Sequence, residues 1–191
     1  MIGLLTLGSF SLTAQITTPA PSPAAKVWQT VGLTEVTVEY SRPQKNDRVI
    51  FGELVPFDKM WRTGANKNAL ITVSDMLIFG KDTLQEGTYS VFTTPKDGES
   101  WDIYFYTGTE NWGTPENWDE GLVAVKTTAT VSKMSTVTES FTIGIENINM
   151  NGADLSFSWD KTKAVVSFAV PTIFDRSSRE KLMLKSPSFS S

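Results

Sequence analysis

The segment TEVTVEY, residues 34–40, alternates apolar and polar side chains along its length. Val36, Val38 and Tyr40 lie on one face of an extended chain, and the polar side chains between them lie on the other. This period of two is typical of a β-strand with one buried face. The same alternation recurs in residues 141–145, 155–159 and 164–170, with turn-forming residues at 149–152. We therefore predict that these three later segments form successive antiparallel strands.

Six shorter apolar stretches between these segments predict further strands. They cover residues 49–51, 70–74, 77–80, 88–93, 101–106 and 122–128. Gly and Asp residues supply the turns between them, and residues 57–61 are expected to form only a single helical turn. Many short strands without a convincing amphipathic helix indicate an all-β protein. The predicted fold is an antiparallel β-sandwich or jelly roll of roughly eight to ten strands.

The N-terminal sequence predicts export. Residues 2–13 are apolar but too short to cross a bilayer, and they are followed by the small residue Ala14. We expect a signal peptide over residues 1–14, with its basic start lying upstream of Met1; a buried first strand is the alternative. Residues 15–25 then form a Pro-rich linker, residues 26–171 the β-sandwich domain and residues 172–191 a flexible tail. The mature chain is expected to lack a transmembrane segment and to be periplasmic or extracellular.

The composition excludes many functions. The 191 residues include no His and no Cys, which removes histidine triads, thiol nucleophiles, the usual zinc sites and disulfides. The net charge is −4, and the sequence has no block of Lys or Arg of the kind that binds nucleic-acid phosphates. We expect no metal, no cofactor and no nucleic-acid partner.

Three motifs carry a family resemblance. They are SRP at residues 41–43, IFGELVP at residues 50–56 and the hexapeptide WRTGAN at residues 61–66. With these motifs the chain resembles the secreted proteins of Bacteroidota that are catalogued as a domain of unknown function, number 2911. The resemblance covers roughly residues 22–170 and implies an exported all-β domain without an assigned activity.

The hexapeptide is the first candidate site. Its Arg62 and Asn66 accompany Arg42 and Arg48 upstream, and the three arginines could converge on one carboxylate or phosphate. The alternative is that each arginine organises a loop by bonding backbone carbonyls or by pairing with Glu35, Glu39 or Asp58. The structural alternative predicts a loss of about 1 to 3 kcal/mol of stability on Arg62→Ala, whereas a ligand role predicts little change.

The second candidate site is the acidic, aromatic segment over residues 97–120, which has seven acids and no base. Trp112 and Trp118, flanked by Asn111 and Asn117, lie in predicted loops and could stack on sugar rings. Trp101 falls in a predicted strand and should face the core. Calcium is a weak alternative because no Asp-x-Asp-x-Asp-Gly loop is present. The acids could also be no more than a solvated loop.

These observations leave three functions open. The first is an exported, non-catalytic β-sandwich module that binds a glycan, another polar ligand or a partner at the cell envelope. The second is a carboxylate-dependent glycan hydrolase, which needs only two suitably spaced acids. The third is a purely structural module. We expect binding rather than catalysis, since no nucleophile, P-loop or dinucleotide motif occurs.

Overall fold

A computed structural model describes residues 18–110 and 112–171 of the chain. The predicted signal peptide, the predicted C-terminal tail and Asn111 lie outside the described residues.

The described residues form nine β-strands and one short 3₁₀ helix. The strands are β1 (Ala24–Val31), β2 (Thr34–Ser41), β3 (Ala69–Val73), β4 (Leu77–Phe79), β5 (Asp82–Leu84), β6 (Gly87–Thr94), β7 (Ser100–Tyr106), β8 (Val123–Asn149) and β9 (Gly152–Ala169); the 3₁₀ helix spans Glu120–Leu122. The strands hydrogen-bond in the order β1-β2-β3-β6-β7-β8-β9-β4-β5, and each of these pairings is antiparallel. This confirms the all-β, antiparallel, sandwich-like fold class and its number of strands.

The long hairpin of β8 and β9 brings the sheet back over itself. Residues 123–130 of β8 pair with β7, whereas residues 138–149 pair with β9, and Ser140 also forms an isolated bridge with Gln44 beyond the end of β2. Strand β8 also contacts β1 and β2. There the Tyr40 ring meets the Phe141 ring edge-on at 5.9 Å, and the Tyr40 hydroxyl donates to the Ile143 carbonyl at 3.3 Å. The alternating apolar side chains identified in the sequence meet between these layers and form one continuous core.

The prediction of three successive strands over residues 141–170 is wrong, because residues 155–159 and 164–170 do not form separate strands. Both segments belong largely to β9, which follows β8 directly across the predicted turn. The buried apolar positions are odd-numbered up to Trp159 and even-numbered from Ala164 onward. Asp160 absorbs this change of phase with a left-handed backbone, φ 52°. A local irregularity in one strand therefore produces the pattern that predicted a strand break.

Three other local predictions differ from the structure. Strand β1 begins at Ala24, within the predicted linker. Residues 49–51 form a tight loop closed by a bridge between Phe51 and Val55 instead of a strand. Residues 57–61 form turns and bends, not a helical turn. In the last two cases, short apolar runs pack onto the core although their backbone is irregular. Hydrophobic periodicity alone does not distinguish such runs from short strands or helical turns.

An aromatic group in the core positions the candidate site. Trp101 is 1% exposed, as its alternation predicts. Its neighbours include Phe51, and the Trp61 and Trp159 rings stack with their centroids 5.9 Å apart. The start of the hexapeptide is thereby fixed against both layers. Within the described residues, the structure contains no helix that is long and apolar enough to cross a membrane.

Candidate functional site

The hexapeptide forms a rigid loop between the core and the end of β2. The Trp61 N–H donates to the Thr93 carbonyl at 2.7 Å, and its indole Nε1 donates to the Gly64 carbonyl at 3.1 Å. Gly64 has φ 144°, and a Cβ on it would lie 2.9 Å from the Ser41 carbonyl oxygen. Only glycine allows the loop to pass this closely to β2 in that conformation.

Asn66 closes the other end of the loop. Its Nδ2 donates to the Ser22 carbonyl at 3.2 Å and to the Ser41 Oγ at 3.3 Å. The side chain therefore ties the segment before β1 to the end of β2. This contact gives Asn66 a structural role.

Two of the three predicted arginines organise loops. The Arg42 Nε donates to the Phe141 carbonyl at 3.0 Å, and its Nη2 donates to the Thr142 Oγ1 at 2.7 Å. Arg48 donates from Nε to the Lys45 carbonyl at 2.9 Å and from Nη2 to the Gln44 carbonyl. Arg42 thus joins β2 to β8, and Arg48 holds the turn after the SRP motif. These contacts follow the loop-organising alternative.

Arg62 differs from the other two. Its Nε is buried, and no described residue accepts a hydrogen bond from it. No ion pair among the described residues includes its guanidinium. Its Nη1 instead lies beside Gly113, 3.9 Å from the position that a Cβ there would occupy. Arg62 therefore holds a positive charge that the described part of the chain leaves without a carboxylate.

Arg48 and Arg62 line a common cleft, which we call the arginine cleft. It has a volume of about 370 Å³ and includes no acidic residue in its lining. Its wall is formed by Pro21, Ser22, Pro43, Gln44, Asn46, Leu54, Val55, Trp61, Gly64, Ala65 and Trp159. Arg42 is absent from this lining, so the predicted convergence involves two of the three arginines. The alternation over residues 155–159 predicts that Trp159 faces the core, and no feature of the sequence indicates that it also lines this cleft.

Trp112 lines a second, larger cleft, which we call the tryptophan cleft. Its indole is 72% exposed, and the cleft has a volume of about 780 Å³. The rest of the lining comes from Ala20, Ala24, Ala25, Lys26, Glu39, Tyr40, Ser41, Asn66, Lys67, Asn68 and Leu70. Lys26 and Glu39 form an ion pair at 2.9 Å. The predicted residues Trp112 and Asn66 therefore meet in one cleft, separate from Trp118.

Trp118 is half-buried and not a free platform. Its ring stacks on Tyr106 with a centroid distance of 4.5 Å and meets the edges of Phe92 and Tyr104 at 5.5 and 5.7 Å. Its Nε1 donates to the Glu120 Oε1 at 2.9 Å. The indole covers an apolar patch on the outer face of β6 and β7. Asn117 beside it is exposed, and no described contact brings it to either cleft.

The sequence contains a signal for this covering role. Residues 103–106 and 90–93 each place apolar or aromatic side chains on both faces of a strand, and all eight positions are buried. A strand with two buried faces needs a cover on each side. Trp118, in the segment between β7 and β8, provides the outer cover together with Met60 and Val123.

We expect Trp118→Ala to lower the free energy of unfolding by about 2 to 3 kcal/mol, less than the roughly 3 to 5 kcal/mol of fully buried Trp truncations, because the indole is half-buried. Trp112→Ala is expected to change it by less than about 0.5 kcal/mol, as at other exposed positions. Urea unfolding followed by circular dichroism measures both. Equal effects of the two substitutions would contradict the division of roles between the two tryptophans.

The electrostatics of Asp102 oppose an acid role. Burial raises the pKa of this carboxyl group, but hydrogen bonds and charges from Lys96 and Lys126 outweigh that effect and lower the pKa overall. The Lys96 Nζ lies 2.9 Å from Oδ1, and the Lys126 Nζ lies 3.3 Å from Oδ2. Asp102 is therefore held as a carboxylate.

Two further carboxyl groups on the β8–β9 hairpin behave similarly. The hydrogen bond from Lys163, at 2.6 Å, lowers the pKa of Glu146, and the hydrogen bond from Asn147 lowers the pKa of Asp154. Both carboxylates are fastened to neighbouring strands and lie outside the two clefts. Among the described residues, no group of three or more acidic side chains is arranged to hold a metal ion.

The fold and the clefts define the class of protein: an antiparallel, all-β module whose hexapeptide loop separates a cationic cleft from an aromatic one. The chain belongs to the family described as "Protein of unknown function (DUF2911)", whose sequence profile matches residues 22–168. All three motifs lie within that range, so the predicted family is confirmed. The searches of curated proteins and of solved structures found no match for this chain. Secretion and the bacterial phylum stay predictions.

Proposed function

We propose that the protein is an exported, non-catalytic module that binds an anionic polar ligand in the arginine cleft. The observation that carries this proposal is the state of Arg62, which lines the cleft while its Nε has no hydrogen-bond partner among the described residues. A buried donor without an acceptor costs about 1 to 3 kcal/mol. An anion that binds the Arg62 guanidinium in the cleft would neutralise its positive charge, which no described carboxylate pairs.

The electrostatic setting supports an anion over a neutral ligand. The chain has a net charge of −4, yet two guanidinium groups and no carboxylate line this cleft. Arg48 is held in place by two backbone carbonyls, so little side-chain entropy remains to be lost when it meets a ligand. Guanidinium groups bind carboxylates and phosphates through paired hydrogen bonds. A carboxylate or phosphate group of the ligand is therefore the chemistry that this cleft recognises.

The carboxyl groups support binding rather than hydrolysis. A glycan hydrolase of the carboxylate type needs one acid whose pKa is raised by its surroundings. The pKa values of Asp102, Glu146 and Asp154 are lowered instead, and neither Asp nor Glu lines the arginine cleft.

The export that we propose is supported by the apolar residues 2–13, which are followed by the small residue Ala14. An envelope partner would be consistent with this location.

The proposal is tested by calorimetric titration of the full chain with sodium glucuronate and, separately, with inorganic phosphate. We expect saturable binding of at least one of the two anions, and an affinity at least tenfold lower in Arg62→Gln. Arg62→Lys keeps the charge but loses the forked geometry, so an intermediate affinity is expected. Higher ionic strength should weaken binding, because the cleft is open to solvent.

Lys59→Gln is the matched control, since Lys59 is exposed and lines neither cleft. Its affinity should stay within twofold of the wild type. Arg62→Gln should also change the free energy of unfolding by less than about 1 kcal/mol, because no described residue accepts a hydrogen bond from the Arg62 Nε. Unchanged affinity in Arg62→Gln, or an equal loss in Lys59→Gln, would sink the proposal, as would the absence of saturable binding of both anions.

A further inference from the structure

The two clefts share a single wall. Gly64 and Ala65 line the arginine cleft, and the next three residues of the chain, 66–68, line the tryptophan cleft. The chain at the start of β1 is divided in the same way, with Pro21 and Ser22 in the arginine cleft, and Ala20 and the first residue of β1, Ala24, in the tryptophan cleft. An elongated ligand could therefore extend from one cleft into the other across this shared wall, without contacting a further element of the fold.

A second contact links the clefts through Arg62. Gly113 directly follows Trp112, is buried, and approaches the Arg62 Nη1. Its φ of 97° is a left-handed conformation that favours glycine. The loop that presents the exposed indole is thus seated on the guanidinium of the arginine cleft. In this loop, the residue that carries the aromatic face, Trp112, is therefore followed directly by the residue that approaches the unpaired Arg62, Gly113.

The chemistry of the tryptophan cleft suits a sugar ring. An indole that is 72% exposed offers a flat apolar face at little cost in side-chain entropy. Lys67 and the Lys26–Glu39 ion pair supply donors and an acceptor for hydroxyl groups around it. Leu70 and the three alanines Ala20, Ala24 and Ala25 add apolar surface to the same lining. Sugars have the same combination of apolar C–H faces and hydroxyl edges.

The geometry points to an acidic oligosaccharide, of the uronic-acid type, as the ligand of both clefts. Its carboxylate binds at Arg62 and Arg48, and a neighbouring ring stacks on Trp112. Both volumes, about 370 and about 780 Å³, lie within the range of small-molecule sites. This inference rests on the proposed function, because it assigns the carboxylate to the arginine cleft, and it adds the class of ligand and a second subsite.

Three probes test the inference: trigalacturonate, triguluronate and unsulfated chondroitin tetrasaccharide, each titrated calorimetrically into the full chain. At least one is expected to bind tenfold or more tightly than glucuronate, because the second ring adds the stacking contact. Trp112→Ala should reduce that affinity to the level of glucuronate while leaving the affinities for glucuronate and phosphate unchanged. Trp112→Phe keeps an aromatic face and should retain most of the gain.

Trp28→Ala is the matched control, because Trp28 is 56% exposed on β1 and lines neither cleft. It should leave every affinity unchanged. The inference is overturned if none of the three probes binds more tightly than glucuronate, or if Trp112→Ala weakens phosphate as much as oligosaccharide. In both cases, retained binding of glucuronate or phosphate would leave the proposed function standing. Loss of all binding in the wild type would overturn both.

Discussion

Trp101→Ala is expected to lower the free energy of unfolding by about 3 to 5 kcal/mol, the range typical of buried Trp truncations. Trp101 is 1% exposed in the middle of the fold, and its ring lies 4.8 Å from that of Phe51 between centroids. The surrounding strands are tied by cross-strand hydrogen bonds on both sides of β7, so they cannot collapse into the cavity. Urea unfolding followed by circular dichroism measures the loss.

Trp28→Ala provides the comparison for this substitution. The same side chain is removed, but Trp28 is exposed on the edge strand β1, so the change should stay within about 0.5 kcal/mol. A Trp101→Ala protein that unfolds at the same urea concentration as Trp28→Ala would show that Trp101 does not support the core.

The second large effect is expected for Gly64→Ala, which should cost about 2 to 4 kcal/mol. A non-glycine residue at φ 144° is strained by about 1 to 3 kcal/mol, and the new Cβ would lie 2.9 Å from the Ser41 carbonyl oxygen. Relief of that contact would move the loop away from β2 and alter the arginine cleft, which Gly64 lines. We therefore expect weaker glucuronate binding together with lower stability.

Gly80→Ala is the control that measures the cost of backbone strain without a steric contact of the new Cβ. Gly80 also has a positive φ, 62°, but a Cβ there would have no atom within 4 Å. Its cost should be about 1 kcal/mol, from the left-handed conformation alone. Equal losses in the two variants would mean that the approach of Gly64 to β2 does not matter.

The alternation of apolar residues predicted much of the fold because burial of one strand face is a local property of the sequence. Trp101 shows this directly, since its neighbours in the alternation also point into the core. The continuity of β9 could not be predicted in this way. Asp160 changes the phase of the strand without ending it, and only the cross-strand hydrogen bonds of β8 decide between a kink and a turn.

The candidate site was predictable in its residue types but not in their division of labour. A sequence does not show which backbone carbonyls lie near a guanidinium, so Arg42, Arg48 and Arg62 could not be told apart. The structure separates them because Arg42 reaches the Phe141 carbonyl from a distant part of the chain, and Arg62 has no comparable acceptor for its Nε among the described residues. Trp112 and Trp118 differ for a similar reason, because the apolar outer face that Trp118 covers belongs to other strands.

Nuclear magnetic resonance of the arginine side chains can show whether Arg62 binds an anion. Glucuronate, or phosphate if only phosphate binds, is titrated into the full chain, and the Nε–H resonances are followed. The Arg62 Nε is buried, so its proton should exchange slowly enough to be observed. We expect this resonance to shift and to saturate with the calorimetric affinity, whereas that of Arg42, bonded to the Phe141 carbonyl, stays in place. An Arg62 resonance that does not move at saturating anion would show that Arg62 does not bind the anion.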